Sequence, residues 1–398
     1  MAPTPDRKLL MIPGPIEVSP AVRTAHDGPP PGHQAPPLVE AFGRTLELTR
    51  ALWKAPADAQ PFVIAGSGTL AMDMAVANVI QPGDRALVVD TGYFSERMAE
   101  ILRRAGADVV MVSAEPGEAV PLAQIEVALE QESPKLVVVT HVDTSTGVKM
   151  DAGAVCRAAR KQGVLSIVDG VCATGAEPLS MVDDSVDIYL TGSQKALGLP
   201  PGLAFFVAGP RALAAREALS APPALYMDFA SWIPIMKAYE ERAKAYFATP
   251  ATNLIQAAQV ALEEIAAESF DGLVGIDART ARHQMAADAL RAAWASLGLS
   301  HVAAAGHQAN TLSALRFPAG VEGPSFLAEV GARGVIVAGG LHPALKTEYF
   351  RVGHMGYAIT QPEMLEKTID AVAGALAACG ATADAEQAKS AFRAAFRA

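Results

Sequence analysis

The sequence predicts an α/β protein: one large, mostly parallel sheet with helices on both faces, followed by a smaller α+β unit. Three observations carry that prediction. Between about residues 60 and 210, seven short apolar runs alternate with amphipathic stretches, the pattern of right-handed crossover units. After residue 250 the pattern changes to two long helix-like stretches and then to shorter mixed segments. Finally, 51% hydrophobic against 19% charged residues is enough apolar material for a large buried core.

Taken in order, the strand candidates are "PFVIAG" (61–66), "RALVVD" (85–90), "DVVMVS" (108–113), "KLVVVT" (135–140), "VLSIVD" (164–169), "DIYLTG" (187–192) and "GLAFFVAG" (202–209), all reading as buried strands. Helices are predicted between them over "TLAMDMAVANVI", "SERMAEILRRAG", "PLAQIEVALEQE" and "DAGAVCRAARKQG". The stretches 253–268 and 277–298 read as long helices leading out of the sheet. "TLSALRFP", a helix in "GPSFLAEVGARG", "VIVAGG", "EYFRVGHMG" and a helix over 362–378 then compose the smaller unit, with a helical tail. The proline-rich "DGPPPGHQAPP" reads as an ordered loop. The expected division is an N-terminal segment 1–25, a large domain 26–270 and a small C-terminal domain 271–398.

The net charge of −10 disfavours nucleic acid and anionic membrane surfaces, which reward a basic face. No run reaches the roughly 18 apolar residues that span a bilayer. The start, "MAPTPDRKLLMIPGP", has no signal-peptide apolar region before prolines interrupt it. Cys156, Cys172 and Cys379 are odd in number and far apart, so neither a disulfide framework nor a metal cluster is expected. The reduced cytosol is the expected compartment, and the terminal "FRAAFRA" is not a Ser-Lys-Leu type peroxisomal address.

In parallel sheets, ligands sit at the carboxyl ends of the strands. Three strand ends here carry chemistry. "FVIAGSGTLAMDMAV" is strand, glycine turn, helix, so Gly66, Ser67, Gly68 and Thr69 set N–H groups and hydroxyls at a helix N-terminus, where an anion such as phosphate is favoured; an ordinary N-cap would look the same. "LSIVDGVCATG" ends a strand in Asp169, a carboxylate that needs a partner if buried. Lys195 follows after one more strand, in a stiff, small-residue turn. Cradle, carboxylate and lysine together suggest pyridoxal phosphate: the cradle takes the phosphate, Lys195 forms the Schiff base, and Asp169 keeps the pyridine nitrogen protonated so that the ring acts as an electron sink.

With these residues in view, the chain resembles the class V, fold-type I aminotransferases, and within them the alanine–glyoxylate (serine–pyruvate) group. The resemblance runs over nearly the whole chain, through "IPGPIEVSP", "GSGTLAMDMAVANVIQPGD", "THVDTSTGV", "VDGVCATG", "GSQKALGLPPGLA", "AYFATP", "VIVAGGLH" and "FRVGHMG". It implies that Phe94 stacks on the cofactor ring, Thr144 lies near the ring oxygen, Val171 packs on the opposite ring face and Gln194 contacts the phosphate. It implies further that Tyr246 and Thr249 reach the phosphate of the neighbouring subunit, giving a homodimer with shared active sites. Arg351 in "FRVGHMG" matches the arginine that grips the substrate α-carboxylate, a task its planar fork suits; the flanking glycines are expected to leave room for a ligand.

The expected reaction moves an amino group from alanine or serine to glyoxylate, with small-molecule amino acid and 2-oxo acid partners. Ureidoglycine, aspartate or aminoethylphosphonate remain alternative donors. His26, His33, Gln34, Tyr226, Trp232, Asn310 and His342 are candidates to line the donor pocket, with no chemistry assigned to them. A cysteine desulfurase would need a mobile cysteine, for which Cys172 and Cys379 are weak candidates. A non-catalytic binding module would be signalled by loss of Lys195, Asp169 or Arg351, and all three are present. A dehydrogenase would need the dinucleotide glycine fingerprint, which is missing.

Overall fold

The computed structural model describes residues 7–397. Its main sheet has seven strands in the order Gln60–Ala65, Leu203–Ala208, Ile188–Gly192, Leu165–Asp169, Leu136–Thr140, Arg85–Asp90 and Asp108–Ser113. Neighbours pair in parallel except around Leu203–Ala208, which is antiparallel to both of its neighbours. The central strands Leu136–Thr140 and Leu165–Asp169 are buried along their whole length, as strands covered on both faces must be. The covering helices include Gly68–Ala77, Tyr93–Arg104, Leu122–Glu132 and Ala152–Lys161, where the sequence places them.

The strand order reverses next to Arg85–Asp90. From that strand the chain moves outward to Asp108–Ser113 and then returns to its other side at Leu136–Thr140. Such a switch opens a crevice at the carboxyl ends. Phe94 follows the strand Arg85–Asp90, and Asp143 and Thr144 follow its neighbour Leu136–Thr140.

Four helices are not read from the sequence: Pro20–Asp27, Pro36–Leu52, Pro210–Glu217 and Phe229–Glu240. The first three carry proline in their first turn, where its fixed φ suits helix entry and its missing N–H is not needed. "VIVAGG" is not one strand but two. Val335–Ile336 pairs in parallel with Leu9–Leu10, whereas Ala338–Gly339 joins Tyr349–Gly353. The N-terminal segment takes the first half of the run and leaves only the second for the small sheet.

One hydrophobic core runs from Val22 to Ile265 around the main sheet. A second gathers Met11, the Ala286–Trp294 face, Phe350 and the terminal-helix residues Ala388 and Phe392. Between them lies a small cluster of Val142, Cys172, Ala196, Leu312 and Met355 with Ile16 against it. It joins the lysine turn to the sheet that carries Arg351.

Candidate active site

Asp169 is the last residue of the strand Leu165–Asp169, and Lys195 lies just past the end of its parallel neighbour Ile188–Gly192. Both are buried, at 7% and 2% exposure. Burial pushes Asp169 up to about 7; the Val171 amide (2.9 Å) pulls the other way, the neighbouring Asp143 charge adds to the rise, and Lys195 and Arg97 offset part of it. Burial likewise depresses Lys195, with Cys172 raising it and Arg351 lowering it further. Such a lysine releases its proton more readily than a surface one. Its Nζ donates to the carbonyl of Pro13.

The cradle is built from the turn Ser67–Thr69. Ser67 caps the helix Gly68–Ala77 without using its hydroxyl, so the first-turn amides have no side-chain partner. Gly68 and Gly192 must be glycine for this packing. A Cβ on Gly68 would stand 2.7 Å from Val171 Cγ2; one on Gly192 would stand 2.8 Å from Gln194 Oε1 and 3.1 Å from the Gly68 nitrogen. Gln194 therefore lies over the cradle, and its Oε1 is buried with no hydrogen-bond partner among the described residues. Gly68, Val171 and Gln194 are thus brought together at this turn, with Thr69 next to Gly68 in the first turn of the helix.

Phe94 is the second residue of the helix Tyr93–Arg104. Its amide donates to the Asp143 carboxylate at 3.0 Å, which also accepts from the Ser145 amide and hydroxyl at 2.8 and 2.6 Å. Asp143 is fully buried, and burial raises its pKa against those hydrogen bonds. Sequence reasoning missed this carboxylate, which had no signal beyond its place in "HVDTSTG". Gly92 (φ 149°) is also required here, because a Cβ would meet Ser145 Oγ at 2.5 Å.

Thr144 lends its backbone to the site: its carbonyl accepts from Arg351 NH1 at 3.2 Å, while Arg351 Nε donates to Gly339 O at 2.8 Å. Two carbonyls thereby aim the guanidinium and leave NH2 and the second NH1 proton for a ligand. Burial lowers the Arg351 pKa, yet a guanidinium stays charged at neutral pH. The expectation about the flanking glycines needs correction. A Cβ on Gly353 would strike the Ile12 carbonyl, and one on Gly356 the Ile16 side chain. These glycines make room for the N-terminal segment rather than for a ligand. That segment also covers the lysine, since a Cβ on Gly14 (φ +90°) would lie 2.6 Å from Lys195 Cδ.

Tyr246 and Thr249 stand apart from this cluster. Their hydroxyls face each other at 3.4 Å and both residues are exposed, Tyr246 by 58%, with His33 against its ring. Tyr226 and Trp232 pack edge to face, and the Trp232 indole donates to the Tyr226 carbonyl. Asn310 is not free to line a pocket, being fully engaged by Glu177, Gln284 and Arg291. His26 pairs with Asp27, and His342 accepts from the Ala344 amide. Cys172 is buried against Thr311, 3.6 Å from its hydroxyl, and Cys379 caps the end of a helix. A cavity of about 570 Å³ between Trp53, His141, Glu177 and Asp277 is lined by none of the candidate residues.

Comparison with known proteins agrees with this geometry. The family model for aminotransferase class-V matches residues 37–358. The chain is 39% identical over 359 residues to alanine–glyoxylate aminotransferase 1 of Saccharomyces cerevisiae, covering 87% of this chain and 91% of that one. It is 32% identical to L-aspartate–glyoxylate aminotransferase of Paracoccus denitrificans, covering 87% and 86%. The crystal structure of alanine–glyoxylate aminotransferase from Nostoc sp. superposes with a TM-score of 0.85 at 30% identity, over 94% of this chain and 97% of that one. The chain belongs to the class-V aminotransferases, with the fold-type I architecture and a pyridoxal phosphate cofactor. The uncapped amides of the Ser67–Thr69 turn, the buried Lys195 amine and the buried Asp169 carboxylate suit that group: anion, aldehyde and ring nitrogen each meet a matching partner.

Proposed function

We propose that this aminotransferase moves the amino group of alanine or serine to glyoxylate in a ping-pong cycle, using the residues assembled at the strand ends. The observation that carries the reading is the setting of Arg351. Its Nε and one NH1 proton are committed to the Gly339 and Thr144 carbonyls, so the remaining protons form an end-on fork for a single carboxylate beside Lys195. A donor with one carboxylate and a small neutral side chain satisfies that fork and adds no buried charge, and glyoxylate fits it equally.

Pyridoxal phosphate, when bound, supplies an aldehyde carbon and an electron sink. The chain's own residues do the rest. Ser67, Gly68, Thr69 and Gln194 hold the phosphate; Phe94 and Val171 fix the ring between them, with Thr144 beside its oxygen. Asp169 holds a proton at the ring nitrogen. Lys195 Nζ, depressed by burial, takes the proton from the substrate Cα and returns it at the other end of the transfer, as base and then acid. Arg351 orients the α-carboxylate so that the Cα–H bond faces that amine.

We infer also that two copies share their sites, Tyr246 and Thr249 reaching the phosphate of the partner. Their exposure and the neighbouring exposed Leu225 (71%) support it. Among the described residues no helix is long and apolar enough to cross a membrane; we place the protein in the cytoplasm, in keeping with its three free cysteines.

A donor-by-acceptor matrix tests the substrates, each half-reaction followed by loss of the visible band of the lysine-bound cofactor. Alanine or serine with glyoxylate should give the highest kcat/KM. If aspartate or ureidoglycine outperforms both donors, or pyruvate outperforms glyoxylate, the substrate reading fails while the cofactor reading stands.

A further inference from the structure

Arg97 lies beside the cradle without the partner that an arginine usually has. Among the described residues no carboxylate is within ion-pair distance of it; its helix neighbour Glu100 is taken by Arg104 at 2.7 Å. Instead NH1 donates to Thr69 Oγ1 at 3.3 Å and NH2 to the Tyr93 hydroxyl at 3.1 Å. The guanidinium carbon stands 5.0 Å from the Tyr93 ring centroid and 5.1 Å from that of Phe94. The spacing is helical: positions 93, 94 and 97 share one face of the first turns, so one side chain can meet both rings.

We propose that Arg97 is a positioning residue for the cofactor, fixing the Phe94 ring at a set distance from the phosphate cradle by bridging that ring to Thr69. The proposal rests on the reading of this site as the pyridoxal phosphate site. Phe94 lies at the edge of the main core and edge-on to Tyr93, 5.3 Å between ring centroids, and its amide donates to Asp143. A half-buried phenyl ring near the start of a helix can still adjust about its side-chain torsions. A guanidinium 5.1 Å from the ring centroid limits that freedom, because its broad plane covers more of the ring than an ammonium would. The hydrogen bond to Thr69 ties this stack to the loop that takes the phosphate. Ring platform and phosphate anchor, on different helices, thereby move as one piece. The charge of Arg97 also reaches Asp169, where it favours the ionised carboxylate.

The test uses the cofactor-free full-length protein, titrated with pyridoxal phosphate and separately with pyridoxal, which lacks the phosphate. Arg97→Met keeps the length of the side chain and removes charge and donors; Arg97→Lys keeps the charge and removes the plane. Arg97→Met should weaken both ligands on the order of tenfold and reduce the induced circular dichroism of the bound ring. Arg97→Lys should behave nearly as Met, and the melting temperature of the cofactor-free protein should not change in either. Unchanged affinity for both ligands overturns the proposal. So does a loss confined to pyridoxal phosphate, which would make Arg97 a phosphate ligand, full rescue by lysine, or a melting temperature that falls in step with affinity. Should the wild-type protein itself fail to bind pyridoxal phosphate, it is the cofactor reading that fails, a different result from any of these.

Discussion

A carboxylate buried as deeply as Asp169 weighs on the stability of the cofactor-free fold. Its pKa rises from 3.8 to about 7 on folding, chiefly through desolvation. Between those values the folded chain keeps a proton that the unfolded chain has released. Stability therefore falls as pH rises through that window, and the full penalty persists above it. Asparagine at 169 still accepts from the Val171 amide and carries no charge. Cofactor-free Asp169→Asn should thus melt above wild type at pH 8, the gap closing towards pH 4; a lower melting temperature at pH 8 would contradict the argument. The same variant should lose most of its turnover, because an amide cannot hold the ring nitrogen protonated. At Arg351 the fork matters more than the charge. Arg351→Lys should lower kcat/KM for donor and acceptor alike by roughly tenfold to a hundredfold, the range for losing hydrogen bonds to a charged group; a loss for one substrate alone would refute a shared fork. Lys195 and Asp169 could be singled out in the sequence because charged residues at the ends of apolar runs are conspicuous, whereas Arg351, in the middle of its strand, was proposed through family resemblance. Phe94 was legible only through family resemblance. Asp143 and Arg97 were not legible at all, since their meaning depends on partners tens of residues away that only folding brings near.

Strand ends and turns set how closely these groups approach. The cradle turn meets the loop after Asp169 so tightly that Gly68→Ala would drive a methyl group against Val171, 2.7 Å away. Gly68 opens a helix and needs no unusual φ, so the backbone tolerates alanine and the overpacking falls on the site. Affinity for pyridoxal phosphate should drop on the order of tenfold, with the fold retained by circular dichroism. Gly14→Ala adds backbone strain to the same kind of contact, because its φ of +90° disfavours any Cβ and Lys195 Cδ lies 2.6 Å off. Its visible band should appear more slowly than in wild type after cofactor addition; an unchanged rate would show that the cover segment does not constrain the lysine. The strands and the helices between them were legible because their apolar periodicity is local. "VIVAGG" misled because its first half is claimed by Leu9–Leu10, more than 300 positions away. The glycines around Arg351 misled for the same reason, their space being filled by Ile12 and Ile16.

Whole-molecule geometry decides whether one chain is an enzyme by itself. Phosphate carries two negative charges, and within a single chain the cradle meets it with amides, hydroxyls and one amide side chain. Tyr246 and Thr249 contact each other and lie exposed on a surface that also bears Leu225 and Tyr226. Exposed aromatic and aliphatic side chains gathered around two hydroxyls that meet only each other suit a second subunit better than solvent. If each chain lends these hydroxyls to its partner, damage on different chains can be separated. Lys195→Ala abolishes chemistry in its own site but still donates Tyr246 and Thr249. The double variant Tyr246→Phe/Thr249→Ala keeps its lysine but starves the partner's cradle. In a mixed dimer one of the two sites then carries both defects and the other carries neither. Heterodimers isolated by two affinity tags should therefore regain up to about half of the wild-type activity per dimer, since one intact site of two is restored. If the hydroxyls served their own chain, each site would carry one defect and mixing would restore nothing. Complete absence of recovery in verified heterodimers would remove the shared site and leave the strand-end chemistry to a single chain.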